Sequence, residues 1–240
     1  MATGDRLVGV LGGMGPDATI DFMARVVAHT PSDRDQDHIR MLVDQNPRVP
    51  SRQMAMRGEG ENPGPVLAEM ARRLEDCGAE FLVMPCNAAH AWKNDVVTAT
   101  SIPFISIIAE SVSTSLQCAG DDGAIGLLTT PACFAAGLYQ QALADANRET
   151  VLQSPEELAE SISLIDRIKA GDKSKSVVTG LQALANRLVT RGATTVIAAC
   201  TELPLVLDQS MLSVPLVAST DVLAERTVAL ALSSEPLPKP

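Results

Sequence analysis

Short apolar runs alternate along this chain with longer stretches in which apolar residues return every three or four positions. Leu7–Leu11 is such a run, stopped by Gly12-Gly13, and reads as a buried strand. Pro16 stands where a helix can start, and the amphipathic pattern carries that helix to about Ala28. Met41–Val43 reads as a second strand, while Gln45 to Pro65 carries neither period. Val66, Leu67, Met70, Ala71, Leu74 and Cys77 form one helical stripe, which places Cys77 in the core and leaves Gly78 to close the helix. Phe81–Met84 and Phe104–Ile108 read as strands, as do Ala124–Leu128, Thr195–Ala199 and Leu216–Val217. Helices are expected over Phe134–Ala146, Leu158–Ala170, Leu181–Arg191 and Thr220–Leu232. The second of these opens with the capping sequence Ser154-Pro155-Glu156-Glu157.

This alternation implies α/β layers around mostly parallel sheets. A repeat runs through it. Arg73-Leu74, Gly78-Ala79 and Cys86 match Arg187-Leu188, Gly192-Ala193 and Cys200, each pair 114 positions apart. Gly9-Val10-Leu11 matches Gly126-Leu127-Leu128, and Ile102-Pro103 matches Val214-Pro215, at 117 and 112 positions. The pattern predicts two similar doubly wound α/β domains related by a pseudo-twofold and joined near Ser111–Asp121. Residues 1–112 make the first domain and 113–218 the second, with the closing helix within 219–240 packing back on the first.

Composition narrows the function. Asp and Glu total 29 against 19 Lys and Arg, a net charge of −10, which argues against nucleic acid or an anionic membrane as partner. Aromatic residues at 2% leave little with which to stack bases. No run reaches the roughly 20 apolar residues of a membrane span. Five cysteines without a CxxC pair, behind a start that lacks a secretory pattern, suggest free thiols in the cytoplasm.

The two matched cysteines carry the chemistry. Met84-Pro85-Cys86-Asn87 and Ala198-Ala199-Cys200-Thr201 each follow a strand, at the sheet edge where α/β proteins bind ligands. Each also precedes an expected helix, whose N-terminus would favour a thiolate. Taken singly, either cysteine reads equally as a small buried hydrophobe. Two thiols in equivalent places of a duplicated fold suit a reaction on both faces of a planar carbanion, one removing a proton and the other delivering one. Cys118 and Cys133 have no counterpart in the repeat.

Other motifs remain open. The turn Gly12-Gly13-Met14-Gly15-Pro16-Asp17-Ala18 contains the dinucleotide pattern G-x-G-x-x-A between a strand and a helix, with Asp44 available as a ribose acid. Pro16 removes one N–H from that helix start, so backbone N–H groups facing a small carboxylate are the preferred reading. His90, four residues after Cys86, either shares a metal with it or holds the loop; the further ligands a metal needs are not evident, which favours the loop. Arg48 and Arg52, set among prolines, are candidate carboxylate forks. Lys169, taken alone, is a solvated charge at a helix end.

Together, GGMGP (Gly12–Pro16), DQDH (Asp35–His38), NP-x-x-P-x-R (Asn46–Arg52), GEGENP (Gly58–Pro63), the Cys77–His90 segment with its MPCN box, IKAG (Ile168–Gly171) and CTEL (Cys200–Leu203) form a recognisable set. They resemble the aspartate racemases of the aspartate/glutamate/hydantoin racemase superfamily, over roughly residues 6 to 230. The resemblance implies a racemase that needs neither cofactor (PLP included) nor metal, with its active site in the cleft between two α/β domains. It further implies a homodimer in the cytoplasm acting on a small acidic amino acid, L- and D-aspartate first. It makes Cys86 and Cys200 the catalytic pair, sets Arg52 on the substrate's side-chain carboxylate with Lys169 beside it, and lines the substrate with Met14, Asn87, Thr130 and Thr201. Arg48 does not match the motif. Glu202 marks the aspartate-type box, where glutamate racemases carry His. Glutamate, a hydantoin or a dicarboxylate are the alternative substrates, and a non-catalytic amino-acid-binding relative is the alternative class. Two departures from the family pattern, Ala88 for a usual Thr and Pro131-Ala132-Cys133 for a usual x-Gly-Thr, remove hydrogen-bonding groups.

Overall fold

The computed structural model describes residues 5–234 and 236–238. The remaining ends of the expected first domain, residues 1–4, 235, 239 and 240, lie outside the described residues. The chain begins with β1 (Val8–Gly12), α1 (Pro16–His29), β2 (Met41–Gln45), α2 (Arg52–Met56), α3 (Gly64–Asp76), β3 (Phe81–Val83), α4 (Lys93–Ala99) and β4 (Phe104–Ile105). α5 (Ile107–Ala119) leads to β5 (Ala124–Thr129), α6 (Pro131–Ala136), α7 (Leu138–Asp145), β6 (Thr150–Leu152), α8 (Pro155–Lys169), α9 (Lys175–Thr190) and β7 (Ala193–Ala199). β8 (Leu216–Ala218) and α10 (Ser219–Leu232) follow. The fold divides into one unit of Met1–Ile107 with Leu223–Pro240 and another of Ile108–Val222. One contains a parallel sheet in the order β2-β1-β3-β4, the other a parallel sheet in the order β6-β5-β7-β8. The two sheets share one strand order.

The repeated residues explain why. A Cβ placed on Gly9 of β1 would lie 2.7 Å from Leu82 Cδ2, 2.9 Å from Ala79 Cβ and 3.2 Å from Leu74 Cβ. One placed on Gly126 of β5 would meet Ala193 Cβ, Leu188 Cβ and Val196 Cγ2 at 3.0, 3.1 and 3.3 Å. Leu74 and Leu188 come from the helices α3 and α9, and Gly78 and Gly192 turn each chain into the next strand with φ of +95° and +103°. Each unit thus uses a glycine in its first strand to let a helix end settle onto the sheet. The buried residues behind this contact are aliphatic: Leu67, Met70, Ala71 and Leu74 on α3, and Val177, Leu181, Leu184, Ala185 and Leu188 on α9.

Several elements differ from the pattern reading. The expected junction Ser111–Asp121 is mostly helical, since α5 runs through it to Ala119. The strand at Phe104 lasts two residues before α5 begins at Ile107. The expected Phe134–Ala146 helix is two, broken at Gly137 in the left-handed region with φ of +67°. Within the aperiodic Gln45–Pro65 stretch lies α2, capped by the Ser51 side chain, and β6 is a three-residue strand that no periodicity announced. α9 starts at Lys175, a turn and a half before the expected Leu181. Cys77 is exposed rather than in the core, since it stands at the C-cap, past the last helical turn of α3. From Leu223 onward α10 belongs to the first unit, where the Arg6 N–H donates to the Ala231 carbonyl at 3.0 Å and Arg6 Nη1 to the Leu230 carbonyl at 2.7 Å.

His90 is a staple of the first unit. Its Nε2 accepts the Ile107 N–H at 3.2 Å, so the ring hydrogen sits on Nδ1, which donates to the Cys86 carbonyl at 2.9 Å. The ring also packs on Phe104 with centroids 5.2 Å apart. Burial pulls the His90 pKa down from 6.5 to about 4, aided by Lys93 and opposed by the hydrogen bond to Cys86. Folding therefore requires the neutral ring. Above pH 6.5 His90 is neutral in both states and costs nothing; as pH falls from 6.5 towards 4, the unfolded chain takes up a proton that the folded chain refuses. Unfolding free energy should then drop by about 3 kcal/mol from this group, and urea denaturation from pH 7.5 to 4 checks it against a His90→Gln variant, which should lack this part of the slope.

Candidate active site

In the first unit, the predicted residues gather at the carboxyl ends of the strands. Met14 lies just beyond β1 and is buried in the same apolar cluster as Val49, Met84 and Cys86. Gly13 donates its N–H to Thr19 Oγ1 at 2.9 Å, and a Cβ on it would fall 2.4 Å from the Asn46 carbonyl carbon. Packing of the turn against α1 and the β2 loop thus accounts for these glycines, and the N–H that a phosphate would use at Gly13 is already taken. Arg52 is the first residue of α2, and its Nη1 donates to the carbonyls of Val49 at 3.0 Å and Pro50 at 2.9 Å. Its Nε and second amino group take no part in those two bonds. Arg48 is exposed on the same loop. α2 packs against the 3₁₀ turn Ala88–Trp92 that follows Cys86. Cys86 itself is 6% exposed and Asn87 2%.

The second unit repeats the placement with different neighbours. Thr129 closes β5: its N–H donates to Gln153 Oε1 at 2.7 Å, its hydroxyl to the Ala199 carbonyl at 3.2 Å, and its carbonyl accepts from Ser161 at 2.8 Å. These bonds fix the end of β7, where Cys200 begins the next turn. Thr130 is the N-cap of α6, its side-chain oxygen accepting the Cys133 N–H at 3.3 Å, with Pro131 at the first helical position. The departure from the family turn therefore builds a capped helix start. Lys169 ends α8. That helix is set at its other end by the reciprocal Ser154–Glu157 capping box and by Arg191, which grips Glu157 through two hydrogen bonds of 2.8 Å. Cys200, 8% exposed, donates from Sγ to Glu202 Oε2 at 3.0 Å, and Thr201 is buried beside it.

The electrostatics of Cys200 correct one expectation. Neither cysteine heads an α-helix: Cys86 is followed by the 3₁₀ turn Ala88–Trp92 and Cys200 by the 3₁₀ turn Leu203–Leu205, too short to set up a helix dipole of any size. Burial pushes the Cys200 thiol well above the ordinary cysteine range, Glu202 pushes it further, and Lys169 pulls it back. At rest Cys200 is a thiol, the form that donates a proton. Two neighbours escaped the sequence reading. Tyr139 is fully buried, hydrogen-bonded with Ser219 and within electrostatic reach of Cys133 and Cys200; burial holds its hydroxyl neutral. Its being the chain's one tyrosine was the available signal. Glu202, a subtype marker in sequence, stands two residues after Cys200 and reaches its sulfur.

His90 cannot join Cys86 on a metal while both ring nitrogens bind backbone, and among the described residues no three His, Cys, Asp or Glu side chains are grouped to hold one. No helix of the described residues is long and apolar enough to cross a membrane.

Known proteins fit this arrangement. The sequence profile of the Asp/Glu/hydantoin racemase family matches residues 11–227. The broad specificity amino-acid racemase RacX of Bacillus subtilis is 26% identical over 236 residues, covering 95% of this chain and 99% of RacX. The aspartate racemase of Picrophilus torridus superposes with a TM-score of 0.84 at 27% identity, covering 94% of each chain. An aspartate racemase homologue from Pyrococcus horikoshii shares the fold at a TM-score of 0.76 and 22% identity, covering 95% of this chain and all of that one. With the profile spanning most of its length, this chain belongs to the Asp/Glu/hydantoin racemase family and is an amino-acid racemase by class.

Proposed function

We propose that the protein interconverts the enantiomers of an acidic amino acid, aspartate first, by two-thiol proton transfer at the α-carbon without a cofactor. The observation that carries this reading is the pair Cys86 and Cys200, each just past the third strand of its own sheet, in two sheets of identical strand order. Arg52 and Lys169 hold the side-chain carboxylate. Backbone N–H groups after the two cysteines hold the α-carboxylate and meet the charge that develops on it as the α-proton leaves. Met14, Asn87, Thr130 and Thr201 bound the substrate. One thiolate takes the α-proton and the other cysteine, as thiol, protonates the opposite face. The P. torridus enzyme's name supports aspartate. A wider substrate range is the second reading, favoured by the name of the B. subtilis relative and by Arg52 spending one amino group on its own loop. The five cysteines are free thiols, in keeping with the cytoplasm, and a homodimer is the assembly the family resemblance supports.

Replacing Cys86 or Cys200 by Ser should each reduce racemisation of both aspartate enantiomers by about 10²- to 10⁴-fold, followed by chiral chromatography. Substantial turnover in either single variant would dismiss the two-thiol scheme. Arg52→Ala should raise the aspartate KM roughly ten- to hundredfold, the worth of a charged hydrogen bond, while changing that of a neutral amino acid far less. Equal effects on both would take Arg52 off the side chain. A panel of amino acids, read as solvent deuterium entering the α-carbon, separates the narrow from the wide substrate range.

A further inference from the structure

The repeat that equates Cys86 with Cys200 equates Ala88 with Glu202, also 114 positions apart. The halves agree at the thiol and disagree two residues later, where one carries a methyl group and the other a carboxyl. Glu202 is 3% exposed, its Oε2 accepts the Cys200 thiol at 3.0 Å with Thr201 Oγ1 at 3.5 Å, and its Oε1 is buried without a hydrogen-bond partner. Its carboxyl lies against the Cys200 sulfur, so its field falls on Cys200. We propose that Glu202 is the positioning residue that keeps the resting proton on Cys200, making the duplicated pair of thiols unequal and assigning Cys200 as the proton donor of the free enzyme.

The groups that act on Cys200 come from three further elements. Lys169 at the end of α8 favours its thiolate, while Tyr139 on α7 is neutral; Cys133 on α6 lies near Tyr139. Burial and the Glu202 side chain together outweigh Lys169 and the Glu202 backbone N–H, both of which favour the thiolate, since the net displacement of Cys200 is upward. The proton inventory of a turnover then closes. The Cα–H bond breaks with its electron pair left on carbon and the proton passes to the Cys86 thiolate. A new Cα–H bond forms with the proton of Cys200, whose electron pair stays on sulfur beside Glu202. Exchange with water returns a proton to Cys200 and takes one from Cys86, with no oxidant or reductant. Repulsion from Glu202 drives that reset.

The catalytic consequence rests on the proposed two-thiol racemisation, but the protonation of Cys200 does not, and it can be read without substrate. The whole protein is alkylated with iodoacetamide across pH 6 to 11 and the label at Cys200 is quantified by mass spectrometry, with exposed Cys77 and Cys118 as references in the same chain. Glu202→Gln, which keeps an acceptor but loses the charge, should move the Cys200 midpoint down by about one pH unit, a roughly tenfold gain in thiolate at fixed pH. Glu202→Asp should restore part of the wild-type position. An unmoved or raised midpoint in the Gln variant overturns the proposal. If that variant does not fold, Glu202→Ala, which copies the residue of the first half, must show the same downward move. A wild-type Cys200 midpoint at or below those of Cys77 and Cys118 also overturns it. Loss of racemase activity with an unmoved midpoint would speak against Glu202 alone, and a shifted midpoint in a protein that racemises nothing would speak against the proposed function alone.

Discussion

A side chain that is missing governs both units. With hydrogen at Gly9 and Gly126, α3 and α9 settle close against the first strand of their sheets: a Cβ would be barred at Gly9 and tightly crowded at Gly126. That contact fixes where the next strand starts, and the length of the strand fixes where the chain leaves the sheet. β3 and β7 run parallel to β1 and β5 in direct pairing, so the cysteine beyond each strand emerges from the same edge in both units. The equivalence of the two thiols is thus a packing result before it is a chemical one. Interiors packed to this density feel an added methyl group: at Gly9 the neighbours would have to move apart, and at Gly126 they would have to yield by a few tenths of an ångström.

Residues under that constraint were the legible ones. Gly, Leu, Ala and Cys recur at a fixed interval because each has one position to fill, and the parallel strands, buried on both faces, show as plain apolar runs. What the pattern hid was structure stabilised by polar groups. α5 covers most of the expected junction Ser111–Asp121, and its Ser111 and Ser115 are both buried, the second donating to the Val112 carbonyl at 2.8 Å. A hydroxyl satisfied inside the fold looks, in sequence, like one meant for water. α2 is five residues long, too short for a period to appear, and depends on its Ser51 cap. Cys77 continued the stripe on paper, but α3 ended one residue earlier.

The site divided along the same line. The cysteines followed from the repeat and from strand-end chemistry, whereas Lys169, Met14, Asn87, Thr130 and Thr201 lie on loops or at helix termini, where periodicity is silent, and family likeness was needed to assign them and to choose Arg52 over Arg48. Electrostatics was the least legible layer. A thiol after a strand suggested a helix dipole, but the helices were 3₁₀ turns, and the field came from a carboxyl and a lysine that the fold brings in from either side of the sequence.

That field also bears on how an acidic substrate is received by a chain of net charge −10. Surface charges are screened over about 8 Å in physiological salt, so the global repulsion fades and local cations decide. Lys169 would then have two tasks: it eases Cys200 towards thiolate, and in the proposed mode it meets the substrate's side-chain carboxylate. In that mode a substrate carboxylate on Lys169 would offset its pull on Cys200, so binding would favour the thiol. The donor is thereby protected from early ionisation, and the proton becomes transferable only when negative charge builds on the α-carbon itself. Under the proposed scheme the acid among the two thiols would be selected by its neighbours and held in that state by the ligand.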